Sequence, residues 1–543
     1  MITGIEAAEQ NSAAAEAAAV AMEHVVIDTA KPLKEDKPPQ KERAAGILMP
    51  VSCLPSPYGI GCFSKEAYDW IDFLKETGQS LWQILPLGPI GFGDSPYQPF
   101  STFAGNPYYI SLEELIDKGW LTKEECDQAD QGDDPESVDY GKLYVNRNAL
   151  LKLAYSRSGI DGDPKFLEFA RTESFWLEDY AFFMACKDAH EGRCWLEWED
   201  DLRLRKPEAL AAAKEELSDE IRYYEFLQYL FFDQWHAIKD YAAENGVKII
   251  GDLPIYVSMD SADVWTRPDL FQLDEDMLPL AVAGCPPDAF SEDGQLWGNP
   301  LYDWPVHKKE SYWWWLERIG HCGRMYDIIR IDHFRGFDEY YAIPYGEETA
   351  RNGKWEPGPG MDLFSRVKSQ LPDLEIIAED LGLMTKSVRD LVKNSGFPNM
   401  KVLQFAFGGD GYNEHMPHVH DYNMVIYTGT HDNDTLLGYL ESISWEEKHR
   451  IEDYLNIYHV PDENLAEGLI RLAFGSVARY CVVPMQDYLK VGAKGRMNRP
   501  SSLGENWKWR MKQGAITDFL TGKLRWMTGV FGRLPEPEEE EEE

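Results

Sequence analysis

The chain has 543 residues, of which 44% are hydrophobic and 13% aromatic, which is ample for a large core and too apolar for a disordered chain. Lys and Arg number 53 against 94 Asp and Glu, a net charge of −41, and a body this acidic repels phosphate backbones and anionic membranes, so neither nucleic acid nor a membrane is expected as a partner. Cys53, Cys62, Cys126, Cys186, Cys194, Cys285, Cys322 and Cys481 are scattered without a CxxC pair and read as buried thiols of a reducing compartment. No run of about 18 apolar residues occurs. The Ala-rich start, with Glu6, Glu9 and Glu16, lacks the basic and apolar regions of a signal peptide. The expectation is a cytoplasmic protein, with plastid import left open.

In chain order, residues 1–43 end in KPLKEDKPPQKER and read as a loosely ordered extension, and residues 535–543 as a solvated acidic tail. The block 44–534 between them carries eight short apolar, β-branched runs. AGILMPVS (45–52) and SLWQILPL (80–87) come first, then VKIIGDLPIYV (247–257) and MYDIIRIDHF (325–334). LEIIAEDL (374–381), NMKVLQFAF (399–407), MVIYTGTHDND (424–434) and YCVVPMQD (480–487) follow. Strands apolar throughout belong to parallel sheet buried on both faces, and helical patterns separate most of these runs. Eight strand–helix units predict a TIM (β/α)8 barrel, with a doubly wound open sheet as the alternative. Two insertions interrupt the rhythm. Residues 111–245 look mainly helical, ending at Asn245-Gly246, and Tyr223, Phe226, Tyr229, Phe232 and Trp235 recur at helical spacing as packing residues. Residues 258–312, rich in Gly, Pro and turn formers, predict a loop-rich subdomain over the face where the strands end.

Barrel chemistry sits at the C-terminal ends of strands, and four runs end in acids: Asp252, Asp332, Glu379 and Asp432. Any one alone is a plausible cap or strand-end ion pair; four on one rim point to a site. Arg330 and Asp332 alternate along one strand and so share a face. A guanidinium beside Asp332 favours its ionised form, as a nucleophile requires. Glu379, crowded by like charge and partly desolvated, is suited to donate a proton, with Asp380 turned to the other face. The pair matches retaining glycoside hydrolysis, and Asp432, between His431 and Asn433, suits an oxocarbenium-like transition state. Tyr97, Tyr256 and Trp297 in strand-end loops offer faces for pyranose rings.

These motifs together resemble the 4-α-glucanotransferases of the amylomaltase or disproportionating-enzyme family, relatives of the α-amylases. LPSPYGIG (54–61), GDSPYQPFSTFAGNPY (93–108), GDLPIYV, GQLWGNP, RIDHFRG (330–336), IIAEDLG (376–382), LQFAF and TGTHDND carry the resemblance, from about Ala44 to Gly529. It implies Asp332 as nucleophile, Glu379 as general acid/base and Asp432 as transition-state stabiliser. It further implies that Arg330, His333, His431 and Asp252 surround the sugar at the cleavage point. Ser95, Tyr97, Gln295, Trp297, Asn299 and Phe405 would line the glucan groove. Donors would be α-1,4-glucans and maltooligosaccharides, with glucose or a glucan as acceptor and no cofactor or metal. An amylase-type hydrolase and a non-catalytic glucan-binding protein are the competing readings, and oligomeric state is left open.

Other signals are weaker. His415, His418 and His420 lack a four-ligand metal pattern, the Asp274/Asp276 pair lacks a calcium loop's spacing, and 408–411 reads as a turn. The Asn433 sequon lies inside the proposed site. The segment around Asn498 retains RMN and NWKWR within an unusual basic patch.

Overall fold

The computed structural model describes residues 42–91, 93–287, 291–500, 502 and 504–535. Its strands are β1 (Ala44–Leu48), β2 (Leu81–Gln83), β3 (Lys248–Leu253), β4 (Ala281–Cys285), β5 (Gln295–Pro300) and β6 (Ile328–Ile331). They continue as β7 (Glu339–Pro344), β8 (Lys354–Pro357), β9 (Glu375–Ala378), β10 (Asn399–Val402), β11 (Met424–Tyr427) and β12 (Tyr480–Pro484). Each of the eight apolar runs contains one strand of a closed parallel barrel, in the order β1-β2-β3-β6-β9-β10-β11-β12. Pairing of β1 with β12 closes the ring and removes the open-sheet alternative.

Alternation along these short strands divides the barrel interior into layers. Leu81, Ile250, Ile328, Val425 and Tyr480 belong to an apolar inner cluster. Two residues further along their strands stand Gln83, Asp252, Arg330 and Tyr427, a polar layer at the catalytic end in which the Tyr427 hydroxyl donates to Gln83 at 2.8 Å. Outward-facing Ile249, Ile329, Ile376, Ile426 and Cys481 join the core shared with the helices. The ring is thinnest between β9 and β10, where one register pair, Asn399 with Ala378, is formed. There the buried Asp380 carboxylate substitutes for ladder bonds, accepting Met400 N–H and the Asn399 amide at 2.9 Å each.

Between β2 and β3 lie eight α-helices among the described residues, the longest Ser218–Glu244. That helix ends at Asn245 with Gly246 at φ 69°, a left-handed conformation that glycine adopts without a Cβ clash. Its Tyr223, Phe226, Phe232 and Trp235 are buried, while Tyr229 is half-buried against Phe166 and Phe169.

The turn-rich stretch 258–312 holds more order than its composition suggested. β4 and β5 form an antiparallel pair that continues through β7 and β8 into a four-stranded sheet, order β5-β4-β7-β8. Half of this sheet comes from the connection after β6, outside the predicted insertion. Strands this short, broken by Gly284, Gly298 and Pro300, show no sustained alternation. The expectations for the N-terminal extension and acidic tail fall outside the described residues except Glu42, Arg43 and Pro535. No helix among the described residues is long and apolar enough to cross a membrane.

Candidate active site

The polar layer carries the site. Asp252 on β3 and Arg330 on β6 are register partners, so their side chains meet on the barrel's inner face. Both are buried, and Arg330 Nη1 contacts both Asp252 oxygens at 2.7 Å. Arg330 Nη2 reaches Asp332 Oδ1 at 3.0 Å, so one guanidinium bridges two carboxylates. The alternation that puts residues 330 and 332 on one face is thus realised as an ion pair. The Tyr97 hydroxyl donates to Asp252 Oδ2 at 2.7 Å, and its ring stacks on His431 with centroids 5.1 Å apart.

Asp332 and Glu379 occupy adjacent strand ends. Glu379, 8% exposed, accepts two backbone N–H bonds: Oε2 from His333 and Oε1 from Leu381, both at 2.7 Å. Burial pushes the Glu379 carboxyl well above the usual carboxylate range, the Asp332 charge pushes it further, and Arg330 with the two N–H groups opposes them. Asp332 is raised as well, first by burial, with Arg330 pulling it down and the Asp252 and Asp432 charges pushing it up. Asp380 points to β10, away from its neighbour, as strand alternation requires.

His333, directly after Asp332, donates its N–H to Glu379 and adopts φ 51°. Burial, with Arg335 nearby, holds its ring neutral at a pKa of about 3, and Nε2 is buried without a protein partner among the described residues. Trp297 on β5 stands edge-on to this ring, centroids 4.9 Å apart, with Tyr256 6.1 Å from Trp297. Gln295 Oε1 accepts the Trp297 indole N–H at 3.1 Å.

Asp432 is the most open of the three carboxylates, its side chain 45% exposed. Asn498 Nδ2 donates to its Oδ1 at 2.6 Å, and Arg496 Nη2 to its backbone carbonyl at 2.8 Å. His431 Nε2 lies 3.4 Å from Oδ1. Trp507 packs beside Tyr97 and His431. Arg496, Asn498 and Trp507 therefore wall the site. Asn498, Arg496 and Trp507 were not singled out as site residues; the RMN and NWKWR features were their only signal.

Three groove candidates are less directly placed. Ser95 Oγ accepts the Tyr97 N–H at 3.3 Å, a local turn that orients the tyrosine. Asn299 is buried and its amide is occupied: it exchanges hydrogen bonds with Gln98 and donates to Val257 O, which ties the 93–108 loop to the segment after β3. Phe405 packs on the inner barrel cluster beside His415.

The discounted groups have local partners. His415 Nδ1 accepts Val402 N–H, His420 contacts Ser476 and the His415 carbonyl, and His418 contacts Gly411 O and Tyr454. Asp274 Oδ1 accepts the N–H groups of Asp276 and Leu278 in a turn. Asn433 Oδ1 accepts both the N–H and hydroxyl of Thr430, within the loop that carries Asp432.

A ring of carboxylates over an arginine, walled by aromatic faces, is suited to glycosyl transfer, and comparisons with known proteins agree. Residues 49–517 match the profile of the 4-alpha-glucanotransferase family. The 4-alpha-glucanotransferase of Clostridium butyricum is 47% identical over 487 residues, 89% of this chain and 100% of that protein. The 4-alpha-glucanotransferase of Thermus thermophilus is 44% identical over 501 residues, 91% of this chain and 99% of that protein. Among solved structures, the amylomaltase from Streptococcus agalactiae in complex with acarbose superposes with a TM-score of 0.88 at 42% identity, over 91% of this chain and 100% of that one. The chain belongs to the 4-alpha-glucanotransferase family.

Proposed function

We propose that Asp332, Glu379 and Asp432 perform the glucan transfer by double displacement with retention. The observation that carries this reading is the bridging Arg330. It keeps Asp332 ionised against its burial while the neighbouring Glu379 stays protonated.

In the first step an Asp332 oxygen forms a bond to the anomeric carbon of a bound α-1,4-glucan. The bond from that carbon to the 4-oxygen of the next sugar breaks, and the Glu379 proton passes to the departing oxygen. In the second step Glu379, now ionised, takes the proton of an acceptor 4-hydroxyl. That oxygen bonds to the anomeric carbon and Asp332 leaves as a carboxylate. Two inversions give net retention. Asp432, held by Asn498, accepts ring hydroxyls and opposes the positive charge of the oxocarbenium-like transition state.

Tyr97, Tyr256, Trp297 and Phe405 offer apolar faces to the sugars, and the partnerless Nε2 of neutral His333 suits a sugar hydroxyl. His431, Arg330 and Asp252 surround the cleaved bond, Gln295 sets the indole of Trp297, and Ser95 and Asn299 shape the groove from behind. Donors are maltooligosaccharides and longer α-1,4-glucans, and acceptors are glucose or a glucan. The buried thiols Cys53, Cys62, Cys126, Cys186, Cys322 and Cys481 support a reducing, cytoplasmic setting.

The test is incubation with maltotriose alone, with products resolved by chain length. Wild type is expected to give glucose and a ladder of longer maltooligosaccharides, and Asp332→Asn to give neither. An undiminished ladder from Asp332→Asn would remove the nucleophile assignment, and glucose with maltose but no ladder would mean that water outcompetes the acceptor.

A further inference from the structure

The loop between β11 and the helix Leu436–Ser442 carries His431 and Asp432, and it begins and ends on one buried side chain. Asp487, 3% exposed, lies in the short helix Met485–Tyr488 that continues β12, the strand beside β11. Its Oδ2 accepts the Thr428 hydroxyl at 2.7 Å and its Oδ1 accepts the Leu436 N–H at 2.8 Å. Thr428 directly follows β11, and Leu436 opens the helix. The two oxygens of one carboxylate thus close a nine-residue span whose middle is Asp432.

The rest of the loop is braced from other sides. Asn433 Oδ1 holds Thr430, Gln404 Nε2 donates to Asp434 O at 2.7 Å, and Arg496 and Asn498 reach Asp432. Gln404 also spans part of the loop, because its N–H donates to Thr428 O at 3.3 Å, whereas Asp487 joins Thr428 to Leu436 itself.

Resting on the reading of Asp432 as transition-state stabiliser, we propose that Asp487 is a positioning residue for glucan transfer, fastening both ends of the 428–436 loop and so setting where His431 and Asp432 stand. Two observations separate this from a simple stability role. Among the described residues no Lys or Arg pairs with Asp487, and a buried carboxylate without a cation is costly to keep. Burial and the nearby Asp434 charge accordingly raise its pKa to about 7, against the pull of its two hydrogen bonds. What the side chain supplies is geometry: two acceptors a fixed distance apart, facing two donors of one loop.

The experiment measures kcat and KM for maltotriose disproportionation, well below each variant's melting temperature, in Asp487→Ala, Thr428→Val, Asp487→Asn and Asp432→Asn. Asp487→Ala is expected to lower kcat about 100-fold, the order that a 1 Å misplacement costs, with KM within about threefold. Thr428→Val, which frees one loop end without emptying the core, is expected to lower kcat about 10-fold, a misplacement of part of that size. Asp487→Asn is expected to stay within about fivefold of wild type, because its amide oxygen accepts Leu436 N–H and its NH2 donates to Thr428 Oγ1. Wild-type kcat in Thr428→Val and in any folded Asp487→Ala would overturn the proposal. A loss in Asp487→Asn as large as in Thr428→Val would also overturn it, since charge rather than geometry would then matter. If Asp487→Ala does not fold, Thr428→Val and Asp487→Asn still decide. Failure of the underlying reading shows separately, as undiminished turnover in Asp432→Asn.

Discussion

Glu379 Oε2 accepts the backbone N–H of His333 at 2.7 Å, which fastens the proposed acid/base to the residue that directly follows the proposed nucleophile. His333 itself holds a left-handed backbone, φ 51°, which redirects the chain immediately after this bond. Strand β6 therefore orients both partners of the chemistry, Asp332 through the chain and Glu379 through a hydrogen bond. Rigidity of this kind keeps the two carboxyls in register with the scissile bond.

Removing the acid should expose the two steps. Glu379→Gln is expected to lose about 10²–10⁴-fold in kcat on maltotriose, the usual worth of general acid–base catalysis. An α-maltosyl fluoride donor needs no leaving-group proton, so the variant should still form the covalent intermediate and then stall. Intact-protein mass spectrometry should find a maltosyl adduct, and peptide mapping should place it on Asp332. An adduct on any other residue would contradict the assignment.

The pH profile follows from the two raised carboxyls. In the proposed mechanism Asp332 attacks as a carboxylate and Glu379 donates its proton. Activity therefore rises as pH climbs through the raised Asp332 value and falls as it passes the further raised Glu379 value. Both limbs of the bell in kcat/KM should lie above the ordinary carboxylate range, and the apparent values belong to the pair. Arg330→Lys gives up the two-carboxylate bridge without leaving Asp252 uncompensated, a loss that would cost about 3–5 kcal/mol in folding. Since Arg330 pulls Asp332 down, the acidic limb of this variant should move to higher pH. An unmoved limb would show that Arg330 does not act on the nucleophile.

Asn498→Ala should lower kcat by about 10–100-fold with little change in KM, as expected for loss of one charge-assisted hydrogen bond of ~1.5–3 kcal/mol. The bond in question runs from Nδ2 to Asp432 Oδ1 at 2.6 Å. Steady-state kinetics on maltotriose checks it; a rise in KM alone would make Asn498 a substrate contact.

Thermal melting offers a check on Asp487. Its pKa is raised by burial to about 7 in the folded state, so the proton it holds there stabilises the fold fully below the unfolded value of about 4. That contribution is lost as pH rises through about 7. Asp487→Asn is neutral at every pH, so its Tm advantage over wild type should grow between pH 4 and 7 and then level off, by roughly 3 °C. Parallel Tm curves would show that the carboxyl does not titrate in this window.

The barrel was legible because burial on both faces demands unbroken apolar runs, and none of the eight was missed or invented. Asp252, Asp332, Glu379 and Asp432 were legible for the complementary reason, that a charge closing such a run is conspicuous. The β5-β4-β7-β8 sheet was not legible: its strands are short, carry Gly and Pro, and come from two connections separated by β6. Asn299 read as a groove residue by its motif, yet its amide is committed to Gln98 and Val257. Composition and pattern carry burial, but they do not say which polar group meets which.

The amino-acid sequence by itself determined the parallel barrel, the rim on which its acids gather and the shared face of Arg330 and Asp332, because strand period and burial are local constraints on the chain. Only the tertiary structure decided that Arg330 is shared between Asp252 and Asp332, that Asn498 reaches Asp432, and that Asp487 closes the 428–436 loop. Apart from that of Arg330 with Asp332, at the end of β6, those contacts join residues on or after different strands. Their distance is set by barrel closure and register, which no local pattern encodes.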